Sequence, residues 1–237
     1  MKNIQAARET LDATLADAGR AGGLAGLSSS IERLEKLFRA AEGDTENPLQ
    51  FGDETLNWCA AEVAPHFESA LWSLSAGYYP TSLMAAARGL HIGTAALVYF
   101  VNDVELARST DARVSPTFEK WEGGAGLPTI SGLADWLDSR ASGRPDLRGD
   151  VREPGDQLRY LVGEYENPGR HHHLQRGFPA PGFHQQGHAM ATSALQEAME
   201  TVAALWILEL PHLRGDALFD GLLTLPWSAA VRRSVSR

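Results

Sequence analysis

Apolar residues recur along most of this chain with the period of an α-helix, interrupted by polar, Gly- and Pro-rich stretches. Residues 3–19 set Ile4, Ala7, Leu11, Leu15 and Ala18 at helical spacing, and Ala21-Gly22-Gly23 marks the expected end of that helix. Ser29 with Glu32 three residues on has the form of a capping box, so a second helix is expected from there, with Ile31, Leu34, Leu37 and Phe38 on one side. Beyond a polar loop at 43–52, Asp53 is placed to cap a third helix with the row Leu56, Cys59, Val63, Phe67, Ala70, Leu71 and Leu74. Pro65 inside that row predicts a kink or a restart.

The stretch Leu71 to Asn102 is the one around which the rest is organised. Gly77-Tyr78-Tyr79-Pro80 separates two apolar helices, and the second, running to about Asn102, is apolar on nearly every face. Such a helix must be buried on all sides. Its length of about 20 residues would also span a bilayer, but Arg88 and His91 sit at its middle among Ala85, Ala86, Ala87 and Gly89. That pattern reads as the central helix of a soluble bundle, with Arg88 and His91 turned to something polar.

A long connection is expected at 104–130, then a short helix capped by Ser131 and carrying Leu133, Trp136 and Leu137. After a Gly-, Pro- and Arg-rich loop at 141–155, Asp156 opens a helix that Asn167-Pro168-Gly169 stops. A last long helix is expected from about Met190 to Leu210, ended by Pro211, with a short helix near Ala217–Leu223 and a basic tail (Arg232, Arg233, Arg237). The fold class is therefore all-α, an up-down bundle of about seven helices. Residues 1–50 form an N-terminal helical pair packing on the core, 53–212 the bundle, and 213–237 the short helix and basic tail.

Composition narrows the function classes. A formal net charge of −9 argues against a duplex-DNA binder working by bulk electrostatics. One cysteine, Cys59, excludes an intramolecular disulfide and a multi-cysteine zinc site. The first residues are polar and amphipathic without a signal-peptide core, so cytoplasmic residence is expected, and the Ala, Gly and Arg richness suggests a bacterial source.

Thirty acids over 237 residues would place about four in a thirty-residue window, yet Asn167–Gln196 holds none. It does hold Arg170, Arg176 and five of the eight histidines: His171, His172, His173, His184 and His188. An acidic chain that keeps acids out of one segment keeps it compatible with an anion, such as phosphate, a nucleotide or RNA. His184 and His188 are spaced i, i+4, which on a helix can chelate zinc, iron or manganese, with His66 or His91 as further ligands. Arg88 and His91, three apart, share one helix face. A buried Arg88 would need a carboxylate such as Glu62, Glu164 or Glu166.

A helix ending in Gly77-Tyr78-Tyr79, then a small-residue helix with the central Arg88, resembles the HEPN superfamily. The segment Tyr160-Leu161-Val162-Gly163-Glu164-Tyr165-Glu166-Asn167-Pro168 is similar to the place where HEPN proteins often carry His-Pro after a short helix; Asn167 stands where that His would be. The likeness covers roughly residues 55–210. It implies a helical bundle, commonly a homodimer, without a cofactor, whose members include metal-independent ribonucleases of toxin and defence systems and others that only bind nucleotides or partners. Active members carry an Arg and a His with four to six residues between them; here Arg170 is directly followed by His171, His172 and His173, and seven residues lie between Arg176 and His184.

The resulting expectation is a HEPN-like protein that binds RNA or a nucleotide-like anion, up to a degenerate ribonuclease, with no membrane or duplex-DNA partner. Arg170, His171 and His173 are the catalytic candidates, Arg170 for the phosphorane charge and a histidine as general acid or base. Arg88, His91, Tyr165, Asn167 and Arg176 are the ligand-binding candidates. A second reading is a metal-dependent bundle enzyme built on His184 and His188. A third is a non-catalytic protein-interaction module.

Overall fold

A computed structural model describes residues 2–41, 52–110, 127–141, 154–165, 182–210 and 213. Among them are seven helices and no strand: α1 Lys2–Ala16, α2 Ala18–Ala41, α3 Gly52–Ser75, α4 Tyr79–Thr110, α5 Ile130–Ala141, α6 Pro154–Tyr165 and α7 Gln185–Glu209. The protein is all-α, as its periodicity predicts.

The first helix boundary falls elsewhere than the sequence suggests. The break lies at Asp17, whose Oδ1 accepts the Arg20 N–H at 2.9 Å and so caps α2. That bond holds the Asp17 carboxyl below the usual carboxylate range. α2 then continues through Gly22, Gly23 and Gly26 and past Ser29. Each glycine costs up to about 1 kcal/mol of helix propensity. The buried row Leu24, Leu27, Ile31, Leu34, Leu37 and Phe38 outweighs it. Ser30, next to the expected capping box, turns its hydroxyl back onto the Gly26 carbonyl at 3.1 Å instead.

α3 passes through Pro65 as one helix, with the proline on an exposed position where water can meet the freed carbonyl. It closes in a Schellman motif. Gly77 takes φ +79°, the Tyr78 N–H reaches the Ser73 carbonyl at 2.7 Å, and the Gly77 N–H reaches Leu74 at 3.1 Å. Pro80 then stands in the first turn of α4, where its missing N–H has no intrahelical partner to lose. Ser82 fastens the hairpin through a 2.8 Å bond to the Ala70 carbonyl of α3.

α3, α4 and α7 form the centre, α2 lies against α3 and α7, and α5 pairs with α6 beside α4. α4 extends to Thr110, past the expected stop near Asn102. By length and composition its Tyr79–Asn102 portion could cross a membrane, and 78% of its 18-residue apolar window is buried inside the bundle. α7 is as central as α4. At their crossing Gly93 of α4 lacks a side chain where a Cβ would lie 2.9 Å from Val202, and Trp206 Nε1 donates to the Gly93 carbonyl at 3.0 Å. Trp206 is fully buried, edge-on to Phe38 at 5.0 Å and stacked on Phe100 at 6.1 Å.

Thr129, rather than Ser131, caps α5, accepting the Gly132 N–H at 3.1 Å. α6 starts at Pro154, two residues before the expected Asp156. α7 starts at Gln185, five residues before the expected Met190. The expected helix at 217–223 and the basic tail lie outside the described residues.

Candidate functional site

α2 and α7 run side by side with a groove of about 680 Å³ between them. Gly23, Gly26, Leu27, Ser30 and Arg33 recur at three- and four-residue spacing and form one face of α2; Ser29 adds its hydroxyl at the rim. His188, Thr192 and Gln196, four apart, form a polar stripe on α7, joined by Ala189 and Ser193. The lining thus holds a guanidinium, an imidazole, a carboxamide and four hydroxyls, of which that of Ser30 is already donated to Gly26, and contains no carboxylate. The glycines leave open space above α2, with nothing within 4 Å of where a Cβ would be. Arg33 makes no ion pair among the described residues. Gln196 donates to the fully buried Glu200 at 2.6 Å.

One end of the groove is built with care. Tyr79, at the start of α4, donates its hydroxyl hydrogen to the Gly182 carbonyl at 3.1 Å and accepts the His184 N–H at 2.9 Å. Burial pushes its phenol pKa up. Gly187 has no side chain where the Tyr79 ring passes, 2.6 Å from an ideal Cβ. This clamp sets where α7 begins, and with it the position of His188. Phe183 is 46% exposed, with the Arg20 guanidinium 4.1 Å from its ring centroid and the His188 ring at 5.7 Å.

His188 lies in this cluster with its Nε2 buried and unpartnered among the described residues, and Nδ1 3.5 Å from the Thr192 hydroxyl. Burial, then the nearby Arg20 charge, hold its pKa below the ordinary histidine value.

The chain matches no protein-family model, no curated protein and no solved structure.

The structure brings together few of the residues singled out from the sequence. Arg170, His171, His173, Asn167 and Arg176 lie outside the described residues. Arg88 is exposed on α4, so the carboxylate partner expected for a buried guanidinium is not required. His91 Nε2 donates to the Pro128 carbonyl at 2.8 Å, which fastens α4 to the start of α5 and fixes the tautomer. Tyr165 is buried, and its hydroxyl donates to Glu197 at 2.7 Å, tying α6 to α7. His66, on α3, has its pKa lowered by burial and then by the Arg88 charge, with Glu62 opposing.

His184 does not share a helical face with His188. It is the N-cap of α7, with φ −135° and ψ 117°, and its Nδ1 accepts the Gly187 N–H at 3.1 Å. A lone pair spent on a helix cap is not offered to a metal ion. Among the described residues no group of three His, Cys, Asp or Glu is placed to hold one.

Arg33 escaped the sequence reading because Glu32, Glu35 and Lys36 surround it, the look of a solvated helix face. The α7 stripe was partly visible, since His188 to Gln196 closes the acid-free segment.

Proposed function

We propose that this is a HEPN-like helical protein that binds RNA or a nucleotide-like anion in the groove between α2 and α7. One observation carries the reading. On a chain of net charge −9, this groove presents Arg33, His188, hydroxyls and a carboxamide with no carboxylate in its lining. Such a lining suits phosphate and sugar oxygens, which take hydrogen bonds from guanidinium, hydroxyl and amide donors. The small residues of α2 leave room for a sugar-phosphate chain to approach the helix. Phe183, exposed at the groove's end, offers a ring on which a base can stack. The all-α fold supports the likeness to HEPN proteins only at the level of architecture.

The test is binding of a fluorescently labelled single-stranded oligouridylate, followed by anisotropy at low and moderate salt. Arg33→Ala is expected to weaken binding about tenfold and to reduce the salt slope by about 0.7, the share of one phosphate contact on a single strand. His188→Gln and Thr192→Val test the α7 side. Absence of binding by the native chain at low salt, or binding indifferent to Arg33, overturns the proposal. Gel analysis of the same mixtures reads out cleavage, and a mononucleotide competitor separates a nucleotide site from an RNA track.

A further inference from the structure

α2 is the wall of a second groove, of opposite character, on its other side. This one lies between α1, α2 and α3 and encloses about 570 Å³. Its walls are apolar, with Leu11 and Leu15 from α1 and Trp72 from α3, and its rim carries Glu32, Glu35 and Glu68. No Lys, Arg or His lines it, and among the described residues none of the three glutamates makes an ion pair.

The way α1 packs makes this groove more than a surface dent. α1 buries only Thr10 and Thr14 against the body. Of its apolar row, Leu11 is half-buried in the groove wall, while Ile4 is 74% and Leu15 55% exposed. Trp72 across the groove is 65% exposed. Exposed large apolar side chains gathered on one side, rimmed by charge of one sign, mark a docking surface.

We propose that this groove docks a basic amphipathic helix of a partner protein, its apolar face against Leu11, Leu15 and Trp72 and its Lys or Arg residues against Glu32, Glu35 and Glu68. The charge selects this occupant. A second copy meeting the groove about a two-fold axis would set one glutamate rim against another, a juxtaposition of like charges that opposes association. A helix lying in an apolar groove is a recurring mode of recognition, and the acidic chain steers a cationic partner toward it. The proposal is independent of the α2–α7 reading.

The probe is a labelled model peptide of about 14 residues made of leucine and lysine at amphipathic spacing, titrated with the full chain, beside a leucine and glutamate peptide of the same pattern. The leucine–lysine peptide is expected to bind saturably at one to one and the other not at all. Replacing Glu32, Glu35 and Glu68 together by Gln is expected to weaken binding at least about tenfold, as is Trp72→Ala. Neutralising Glu62, Glu105 and Asp135, which lie elsewhere, is expected to leave it within about twofold. Circular dichroism verifies that each variant is folded.

Equal weakening by the two charge sets, or no saturable binding, overturns the proposal. A concentration-dependent dimer that Trp72→Ala abolishes overturns it in favour of a second copy. Peptide binding that begins only after removal of residues 214–237 overturns it in favour of the chain's own C-terminal segment.

Discussion

α1 and α7 both carry apolar residues at helical spacing, and they end in opposite environments. From Ala198 to Glu209 every residue of α7 is buried, including Glu200, Thr201 and Glu209. α1 buries two threonines, leaves Ile4 and Leu15 exposed and only half-buries Leu11. Periodicity therefore shows that a helix forms and which residues share a face, but not which face meets the core. For α1 that choice follows from its neighbours. α2 and α3 already fill their shared core with Leu24, Ile31, Leu34, Phe67 and Leu74, and α1 lies on the outside of that pair. Thr14, 1% exposed, meets its own polar needs through a 2.8 Å bond to the Thr10 carbonyl, so a threonine face can pack without an unsatisfied hydroxyl.

The comparison breaks most sharply at Trp206. Trp206→Ala removes the largest fully buried side chain of the core, together with its bond to Gly93, and is expected to cost about 3–5 kcal/mol in chemical denaturation. Next comes the far end of α7. The Glu209 carboxylate, with its side chain 2% exposed, meets Arg140 Nε at 2.7 Å, and Arg140 also reaches Glu105 at 2.8 Å. Arg140→Met leaves the buried carboxylate without that cation and is expected to cost about 3 kcal/mol, the low end for a broken buried pair because Arg140 keeps some contact with water. Restoring stability with a second change, Glu209→Leu, would identify the uncompensated charge as the cause.

At the other end of α7, Gly77→Ala is expected to cost about 2 kcal/mol. The position has φ +79°, and a Cβ would lie 2.6 Å from the Gly182 carbonyl oxygen, backbone that cannot turn aside as a side chain would. Amide hydrogen exchange should show the loss first in Gln185–His188, where the Tyr79 clamp would loosen.

A smaller effect is read through pH. The folded-state pKa values of His188 and His66 lie below the ordinary histidine value, so the unfolded chain binds protons first on acidification. Their contribution is intact above the unfolded value, is lost as pH falls through the folded values, and is then flat. Denaturation midpoints between about pH 7.5 and 5 are expected to decline, and the decline should be shallower in His188→Leu. Smallest of all, Leu15→Ser on α1 is expected to change the stability of the free protein by no more than about 0.5 kcal/mol. A cost above about 2 kcal/mol would mean that the α1 row is covered in solution and would erase the contrast with α7.

Much of the architecture was legible. The helical period, the turn at Gly77-Tyr78-Tyr79 and the all-round apolar character of α4 are local properties, written in neighbouring residues. Helix ends were less so. The glycines at 22 and 23 read as a stop, but Leu24 and Leu27 just beyond the expected break are buried, and tertiary packing carried the helix through. The candidate site was legible only in part. The acid-free stretch led to His188, while Arg33 was hidden among opposite charges whose side chains point another way around α2. His184, four residues from His188, suggested a chelating pair; its extended backbone makes it a cap instead.

The sequence by itself determined an all-α chain, the order of its long helices, and the central place of the segment after Gly77. These follow from period, turn chemistry and the absence of a polar face, each settled within a few residues. Only the tertiary structure decided that α7 shares the centre with α4, that α1 packs by its threonines, and that α2 divides two grooves. One groove presents Arg33 and His188, the other Glu32, Glu35 and Glu68. Residues about 100° apart on one helix belong to different surfaces, and which surfaces those are depends on helices distant in sequence. No local pattern along α2 encodes that α7 lies on one side of it and α1 on the other.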